Sequence, residues 1–535
     1  MNNSVSDKII LTLARSRYIV PCKIIRRNSG EAPEKRFNEG GIYKSITALL
    51  ENSPHWQQIT DNSSLAGKVP RSPGSDLQSD LYRHILNTLS INSGDDNPSY
   101  YSIGSSWECT AVRDNPPEIL WFPKNNGNAS SAANSEHNHS SADRIAFKIV
   151  RAGIFVFRTG ICLFWFETGA PGGDFQSPFA DLERFIHFQK CIKELSAPWQ
   201  RRMFWKIISP EGLETKKFIT GVWISGILKE LLADSDLETA CYSSRKLSEE
   251  DQEGCAEAPD NALIFNLTTM KGQTPYYFEE IRQHLTQLGF MLSNGFSQRY
   301  LMPEDAERHA IRPFANVLWT ASSFGTGQYV VYSDDSKSFF EDILPDRMFS
   351  DYFLIYIILL YQHYSILYYS EQLELSFPSE LKQIKLNTLN SFSERINLFL
   401  IKSVYASVSH LEQHNAVYRY LSKTLRINDN IRDLTVGLDS LGKLIRNRSN
   451  DEDTAREKKI QKTVNTLALL IIASTLTDTY SFLNENVPDL VSGFAAIDLS
   501  LSFGSLWWSL FKAAVILWII VIFVRVVLKL RKNRK

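Results

Sequence analysis

The sequence predicts an α+β domain, then a long stalk helix, then a C-terminal hairpin of two membrane-spanning helices. Three observations carry this fold class. Runs rich in β-branched and aromatic residues fill the middle of the chain, an apolar stripe at helical spacing follows them, and two apolar segments close the chain. Each closing segment is roughly 20 residues, the length an α-helix needs to cross ~30 Å of hydrocarbon. The regions divide as 1–123 (N-terminal α/β), 124–143 (linker), 144–345 (second α/β region) and 346–463 (helical stalk). They continue as 464–483 (first span), 484–505 (outer, periplasmic loop), 506–528 (second span) and 529–535 (basic tail).

Taken in order, residues 1–123 mix short apolar runs with loops. Met1–Asp7 is polar and Ile9–Leu13 is too short for the apolar heart of a signal peptide. The N-terminus is therefore expected in the cytoplasm, with insertion left to the C-terminal spans. Lys124–Asp143 (KNNGNASSAANSEHNHSSAD) has no large apolar residue and reads as a disordered linker. Its His137 and His139 are read as solvent-exposed, and no metal site is expected. Ile145–Phe157 and Ile161–Glu167 read as strands joined by a turn at Arg158-Thr159-Gly160. Ser209–Phe218 and 262–268 could add strands, Pro275–Gly289 reads as a helix, and Val317–Tyr332 holds a further strand.

Tyr352–Tyr369 is nearly continuous apolar and aromatic, long enough to span a membrane. Gln362, His363, Tyr364 and Ser365 interrupt it, so a buried helix packed on the stalk is the reading. From Ser379 to about Asn450 apolar residues recur three or four apart, from Leu398 and Ile401 through Leu421 to Ile445, as one long helix with an irregularity near Asn428–Asn430. Such a stripe is satisfied by copies of the chain around an axis or by an intramolecular bundle.

The two closing segments differ. The second (506–528) carries Trp507, Trp508 and Trp518 and ends in Arg525, Lys529 and the basic run 531–535, which suits a lipid-facing helix with a cytoplasmic tail. The first (464–483) carries Asn465, Thr466, Ser474, Thr475, Thr477 and Asp478, a polar load costly against lipid but suited to a water-filled pore. A buried core helix is the alternative for it. The basic flank Arg456–Lys462 places both ends of the hairpin, and the soluble domain, on the cytoplasmic side of an inner membrane.

Composition narrows the rest. A net charge of −1 leaves no basic field for nucleic acid. The six cysteines have no CxxC spacing and are read as reduced thiols. No Walker A, HExxH or GxSxG pattern occurs, Gly325-Thr326-Gly327 lacks a following Gly-Lys-Ser/Thr, and no enzyme is expected.

Tyr480, followed by Pro488-Asp489-Leu490, resembles the signature that closes the first transmembrane helix of CorA-type magnesium channels, Tyr-Gly-Met-Asn-Phe and then Met-Pro-Glu-Leu. The order of parts is similar too, over roughly 380–535. Gly-Met-Asn is replaced by Ser481-Phe482-Leu483, and an Asn stands one place late at Asn484. The resemblance implies a homopentamer in membrane lipid that passes Mg²⁺ or another divalent cation, with no bound cofactor. In general character the Tyr352–Tyr369 segment also resembles the CorA-like subgroup linked to type III CRISPR loci. That likeness implies an antiviral effector gated by a nucleotide second messenger, an adenylated S-adenosylmethionine. The alternatives are a constitutive divalent-cation transporter and a membrane-anchored scaffold that conducts nothing.

On a helix, Ile460, Thr463, Leu467, Ile471, Ser474, Asp478 and Ser481 share a face, and aligning Tyr480 matches them to the family's pore lining. Around an axis, Leu467 and Ile471 would form apolar constrictions and Asp478 a carboxylate ring that concentrates cations. Asn484, Glu485 and Asp489 are expected to line the outer mouth, where carbonyls and carboxylates hold a hydrated cation through its waters. Arg151, Arg158 and Asp174 are the expected ligand-binding residues of the cytoplasmic domain, because guanidinium groups suit phosphate.

Overall fold

Strand patterning dominates the first three-fifths of the chain. The computed structural model describes residues 10–27, 39–67, 79–91, 102–121, 145–171, 182–209, 212–217, 219–247, 257–271, 286, 289–291, 310–376, 386–494, 514, 518 and 525. Fifteen strands occur among them. They are β1 Ile10–Arg26, β2 Trp56–Gln58, β3 Gly104–Cys109, β4 Glu118–Trp121, β5 Ile145–Phe157, β6 Ile161–Gly169, β7 Met203–Ser209 and β8 Gly212–Lys217. Further on come β9 Leu237–Cys241, β10 Ser244–Lys246, β11 Glu257–Pro259, β12 Leu263–Lys271, β13 Ala310–Phe314, β14 Val317–Ser322 and β15 Gly325–Tyr332. All but β10 and β11 join one 13-stranded sheet whose main path runs β13-β14-β15-β12-β1-β6-β5-β4-β7-β8. β12 and β15 run parallel, and every other pair recorded in this sheet is antiparallel.

The expected β5–β6 hairpin is present. Gly160, at φ 81°, makes the turn in a region that only glycine enters without strain. Two further expectations hold in type and differ in extent: β7–β8 is a hairpin, and Val317–Tyr332 is a β14–β15 hairpin with Gly325 and Gly327 inside β15. Pro275–Gly289 and the 124–143 linker lie outside the described residues, apart from isolated positions of the former.

Alternation along the strands sorts side chains to two faces. One face holds Tyr18, Val20 and Cys22 of β1, Ile154 and Val156 of β5, and Phe164 and Phe166 of β6. They pack with helices α1 (Glu39–Asn52), α5 (Leu182–Lys193) and α6 (Thr220–Leu231) through Ile46, Phe188 and Ile224. Between α1 and α5 lie three short helices: α2 (Asn62–Ala66), α3 (Arg83–Thr88) and α4 (Thr110–Asp114). The opposite face meets α7 (Phe353–Ser376), where Phe353 packs edge-on to Phe155, Trp165 and Phe265 and Tyr361 stacks on Phe157.

α7 is the segment read as a buried helix, and it is buried on both sides. Its partners are the sheet as well as helices α8 (Leu386–Ser403) and α9 (Glu412–Thr424), for Tyr361 and Tyr369 pack on Phe399 of α8. A helix apolar all round needs cover on every side, and one stalk could not supply it.

The single stalk helix expected from Ser379 to Asn450 is corrected to three helices, the third being α10 (Ile427–Phe494, 68 residues). The first break falls between α8 and α9. There the Asn415 carboxamide oxygen accepts from the Val408 and Ser409 amides, at 2.9 and 3.3 Å, and from the Ser407 hydroxyl. Short polar side chains compete for backbone groups in this way and hold non-helical chain. The second break is Arg426, at φ 53° and just before the expected irregularity. Leu398 and Ile401, assigned to one continuous stripe with Leu421, are exposed on α8, whereas Leu421 is buried on α9.

Contacts divide the chain into two units, Met1–Asp439 and Ser440–Lys535. The first unit joins the regions expected as 1–123 and 144–345 in one sheet and adds α7, α8 and α9. The first expected span lies within α10, which runs on to Phe494 through the stretch expected to begin the outer loop. The second lies outside the described residues except Ala514, Trp518 and Arg525, which are helical. Among the described residues no helix is long and apolar enough to cross a membrane.

Candidate functional site

Two groupings stand out, one in each unit. In the second, the backbone of α10 carries Ile460, Thr463, Leu467, Ile471, Ser474, Asp478 and Ser481 on one continuous helix, with Asn484, Glu485 and Asp489 further along it. The side chains of Ile460, Leu467 and Ile471 are 63, 55 and 56% exposed, and Val464, not among the expected lining residues, is 58% exposed. Thr463 and Ser474 are exposed as well. The Thr463 hydroxyl donates back to the Lys459 carbonyl at 3.0 Å, so this hydroxyl is occupied within its own helix. The side chains of Asp478, Ser481, Asn484, Glu485 and Asp489 lie outside the described residues.

Adding Val464 reveals two interleaved series with heptad spacing. Ile460, Leu467, Ser474 and Ser481 form one, and Val464, Ile471, Asp478 and Glu485 form the other. Over Ile460, Val464, Leu467 and Ile471 this is the apolar spacing of a helix seam, and Ser474, Asp478, Ser481 and Glu485 continue the spacing with polar residues. The spacing is visible in the sequence, but Val464 there marks only the start of a span. Its exposure beside Ile460 and Leu467 joins it to the stripe.

In the first unit a charged network is buried in the sheet. Arg17 of β1, Glu167 of β6 and Arg151 of β5 stand in one row across three adjacent strands, Arg17 opposite Glu167 and Glu167 opposite Arg151. Arg15 lies two residues from Arg17 on the same face. Glu167 is fully buried. Arg15 grips its carboxylate through Nε and Nη2, and Arg17 Nε donates to it at 3.1 Å. Arg151 Nε donates to Glu108 of β3, which Arg113 also approaches at 3.5 Å.

The three arginines also share one covering element. Arg15 donates to the carbonyl of Ala66 (2.8 Å), Arg17 to that of Leu65, and Arg151 to those of Leu65 and Ser64 (2.8 and 2.7 Å). These are the last carbonyls of α2, where no further helical turn follows, and the Ser64 carbonyl also accepts from the Gly67 amide at 3.2 Å. The guanidinium planes lie over aromatic rings: Arg17 is 4.7 Å from the Trp165 centroid and 4.4 Å from that of Phe353, and Arg15 is 4.1 Å from that of Phe349. Gly153 makes this possible, because a Cβ there would lie 2.4 Å from the Trp107 carbonyl oxygen and 2.7 Å from the Trp165 ring.

Beside the network, Asp351, wholly buried, accepts from Asn62 of α2 and from Ser79, both at 2.6 Å, and pairs with Arg347 at 3.0 Å. Burial pushes the Glu167 carboxyl up, but the charges of Arg15 and Arg17 and the Arg15 hydrogen bond outweigh it and hold the group below the ordinary carboxylate range.

The expected ligand residues are not brought together. Arg151 is buried and spends its donors on Glu108 and α2, so in this conformation a phosphate could reach it only by displacing them. Arg158 is exposed at the β5–β6 turn, 5.7 Å from the Tyr43 ring centroid and seven residues along the strand, about 20 Å from Arg151. Asp174 lies outside the described residues. Among the described residues no cluster of His, Cys, Asp or Glu is arranged to hold a metal ion.

No known family, curated protein or solved structure matches the chain.

Proposed function

We propose that the chain is a subunit of a CorA-like, homo-oligomeric divalent-cation channel of the inner membrane, opened by a ligand on its N-terminal unit. One observation carries the reading: the exposed apolar stripe Ile460, Val464, Leu467 and Ile471 on the 68-residue α10. A chain that leaves such a stripe open has a use for copies of itself around an axis. In that arrangement Leu467 and Ile471 would form the dry constriction, and Asp478, farther along, the cation-attracting ring. The family signature near Tyr480 and Pro488 supports the same placement, with the 464–483 and 506–528 segments as its spans.

The size of the sheet domain supports a sensing role, and an adenylated nucleotide is the ligand class that the likeness to the CRISPR-linked subgroup suggests. Arg158, exposed on its turn, is the better placed of the two arginines to meet it. Asn484, Glu485 and Asp489 would set selectivity at the outer mouth.

The test is ion flux from liposomes carrying the full chain, with Mg²⁺, Co²⁺, Ni²⁺, Na⁺ and K⁺, with and without adenylated nucleotides. Divalent flux that rises with nucleotide and falls in Asp478→Ala is the expected result. Flux independent of nucleotide would favour a constitutive transporter. Inserted, oligomeric protein that passes no ion would favour the anchored scaffold.

A further inference from the structure

Three cysteines from distant parts of the chain fall in one row of the sheet. Cys22 of β1 stands directly opposite Cys162 of β6 on one side and Cys241 of β9 on the other. Cys22 and Cys162 are 1% exposed, whereas Cys241 is partly exposed. The Sγ atoms of Cys22 and Cys241 lie 2.9 Å apart. Directly opposed residues of antiparallel strands have Cα atoms about 4.5–5.5 Å apart, inside the span that a disulfide bridges. The two sulfurs therefore need only close on each other, with little movement of either strand.

We infer that Cys22 and Cys241 are a reversible thiol–disulfide pair, oxidised by hydroperoxides entering at Cys241. The roles follow from access. The Cys22 thiol hydrogen-bonds to Cys241 and is buried, and both effects push its ionisation up and leave it a poor first nucleophile. Cys241 is the sulfur that a small oxidant can reach. The Cys241 sulfur attacks one peroxide oxygen, the O–O bond breaks as an S–O bond forms, the thiol proton ends on the departing oxygen, and that fragment leaves as an alcohol or as water, with Cys241 now a sulfenic acid. The Cys22 sulfur then attacks the Cys241 sulfur, the S–O bond breaks, water departs with the Cys22 proton, and the disulfide forms. Two thiols are oxidised and one peroxide is reduced. A dithiol reductant reverses the step.

The bond would staple the end of β9 to the centre of the sheet. The next residue, Tyr242, packs on Tyr364 of α7 at 4.6 Å and donates to its carbonyl at 3.2 Å, so the link also tightens the seam between sheet and core helix.

The experiment is thiol counting on the purified full chain. Protein treated with hydrogen peroxide is unfolded and labelled with a maleimide–polyethylene glycol, and its peptides are mapped by mass spectrometry. Two of the six thiols should disappear together, return with dithiothreitol, and appear as a Cys22–Cys241 cross-linked peptide. In Cys241→Ser, Cys22 should stay labelled after the same treatment. Three results would overturn the inference: full labelling of both residues at a peroxide dose that oxidises glutathione in the same tube, a cross-link from Cys22 to Cys162 instead, or loss of labelling that dithiothreitol does not restore. If Cys241→Ser does not fold, the wild-type peptide map alone decides.

Discussion

The arginine network of the first unit and the apolar stripe of the second reverse the usual rule of burial. Arg15, Arg17, Arg151, Glu108 and Glu167 are inside, while Ile460, Val464, Leu467 and Ile471 are outside. Charge is tolerated indoors when its donors have acceptors, and the carbonyls of α2, the Phe349 carbonyl and the two carboxylates supply them. Apolar side chains exposed in a row are the kind of surface on which the proposed assembly rests. The first unit thus pairs its buried charges internally, and the described part of the second carries an exposed apolar row.

The comparison breaks most readily at Glu167. Glu167→Ala would leave Arg15 and Arg17 buried without their carboxylate, and the first unit should lose about 3–5 kcal/mol in urea unfolding. A loss under ~1 kcal/mol would mean that the network is not the clamp its geometry describes.

Gly153→Ala comes next. The new methyl meets backbone and the Trp165 ring beneath two guanidinium groups, so a loss of about 1–3 kcal/mol is expected on the same axis. Unchanged stability would show that the Trp165 stack can yield.

Acid probes the clamp without mutation. The native carboxyl of Glu167 titrates below its unfolded value of about 4.3, so the unfolded chain takes up the proton first. This contribution is fully present above that value and is lost as pH falls through the native one. Between pH 5 and 3 the wild type should lose more stability than Glu167→Gln, and parallel curves would remove Glu167 from the acid response.

The smallest effect on folding is expected from Leu467→Asn combined with Ile471→Asn, within about 0.5 kcal/mol per site because both are exposed in the single chain. Light scattering in detergent should nonetheless show a smaller oligomer. An unchanged oligomer would detach the stripe from assembly.

The β5–β6 hairpin and α7 were legible because their residues agree at every level: apolar, β-branched or aromatic in the right lengths, with Gly160 at the turn. β1 was not. Arg15, Ser16, Arg17, Pro21 and Lys23 break its apolar pattern, and proline argues against a central strand. In the fold Arg15 and Arg17 are satisfied by α2 and Glu167, and Lys23 reaches Glu371 of α7 at 2.6 Å. The Pro21 carbonyl accepts from Tyr242. Only partners distant in the chain make that strand sensible. The breaks in the expected stalk were hidden for a related reason, since Asn415 acts on residues that by themselves read as helix.

The place of β1 in the sheet has a consequence for synthesis. β1 is made before the other strands of this sheet, yet it lies between β6 and β12, and Ile10 pairs with Lys271. At roughly 5–20 residues per second, β1 waits on the order of tens of seconds for its last neighbour. β6 and β9 are made earlier, so one edge of β1 and the charges of Arg15 and Arg17 can meet their partners, Glu167 among them, while the stretch Ile10–Ile19 keeps its other edge open until β12 is made.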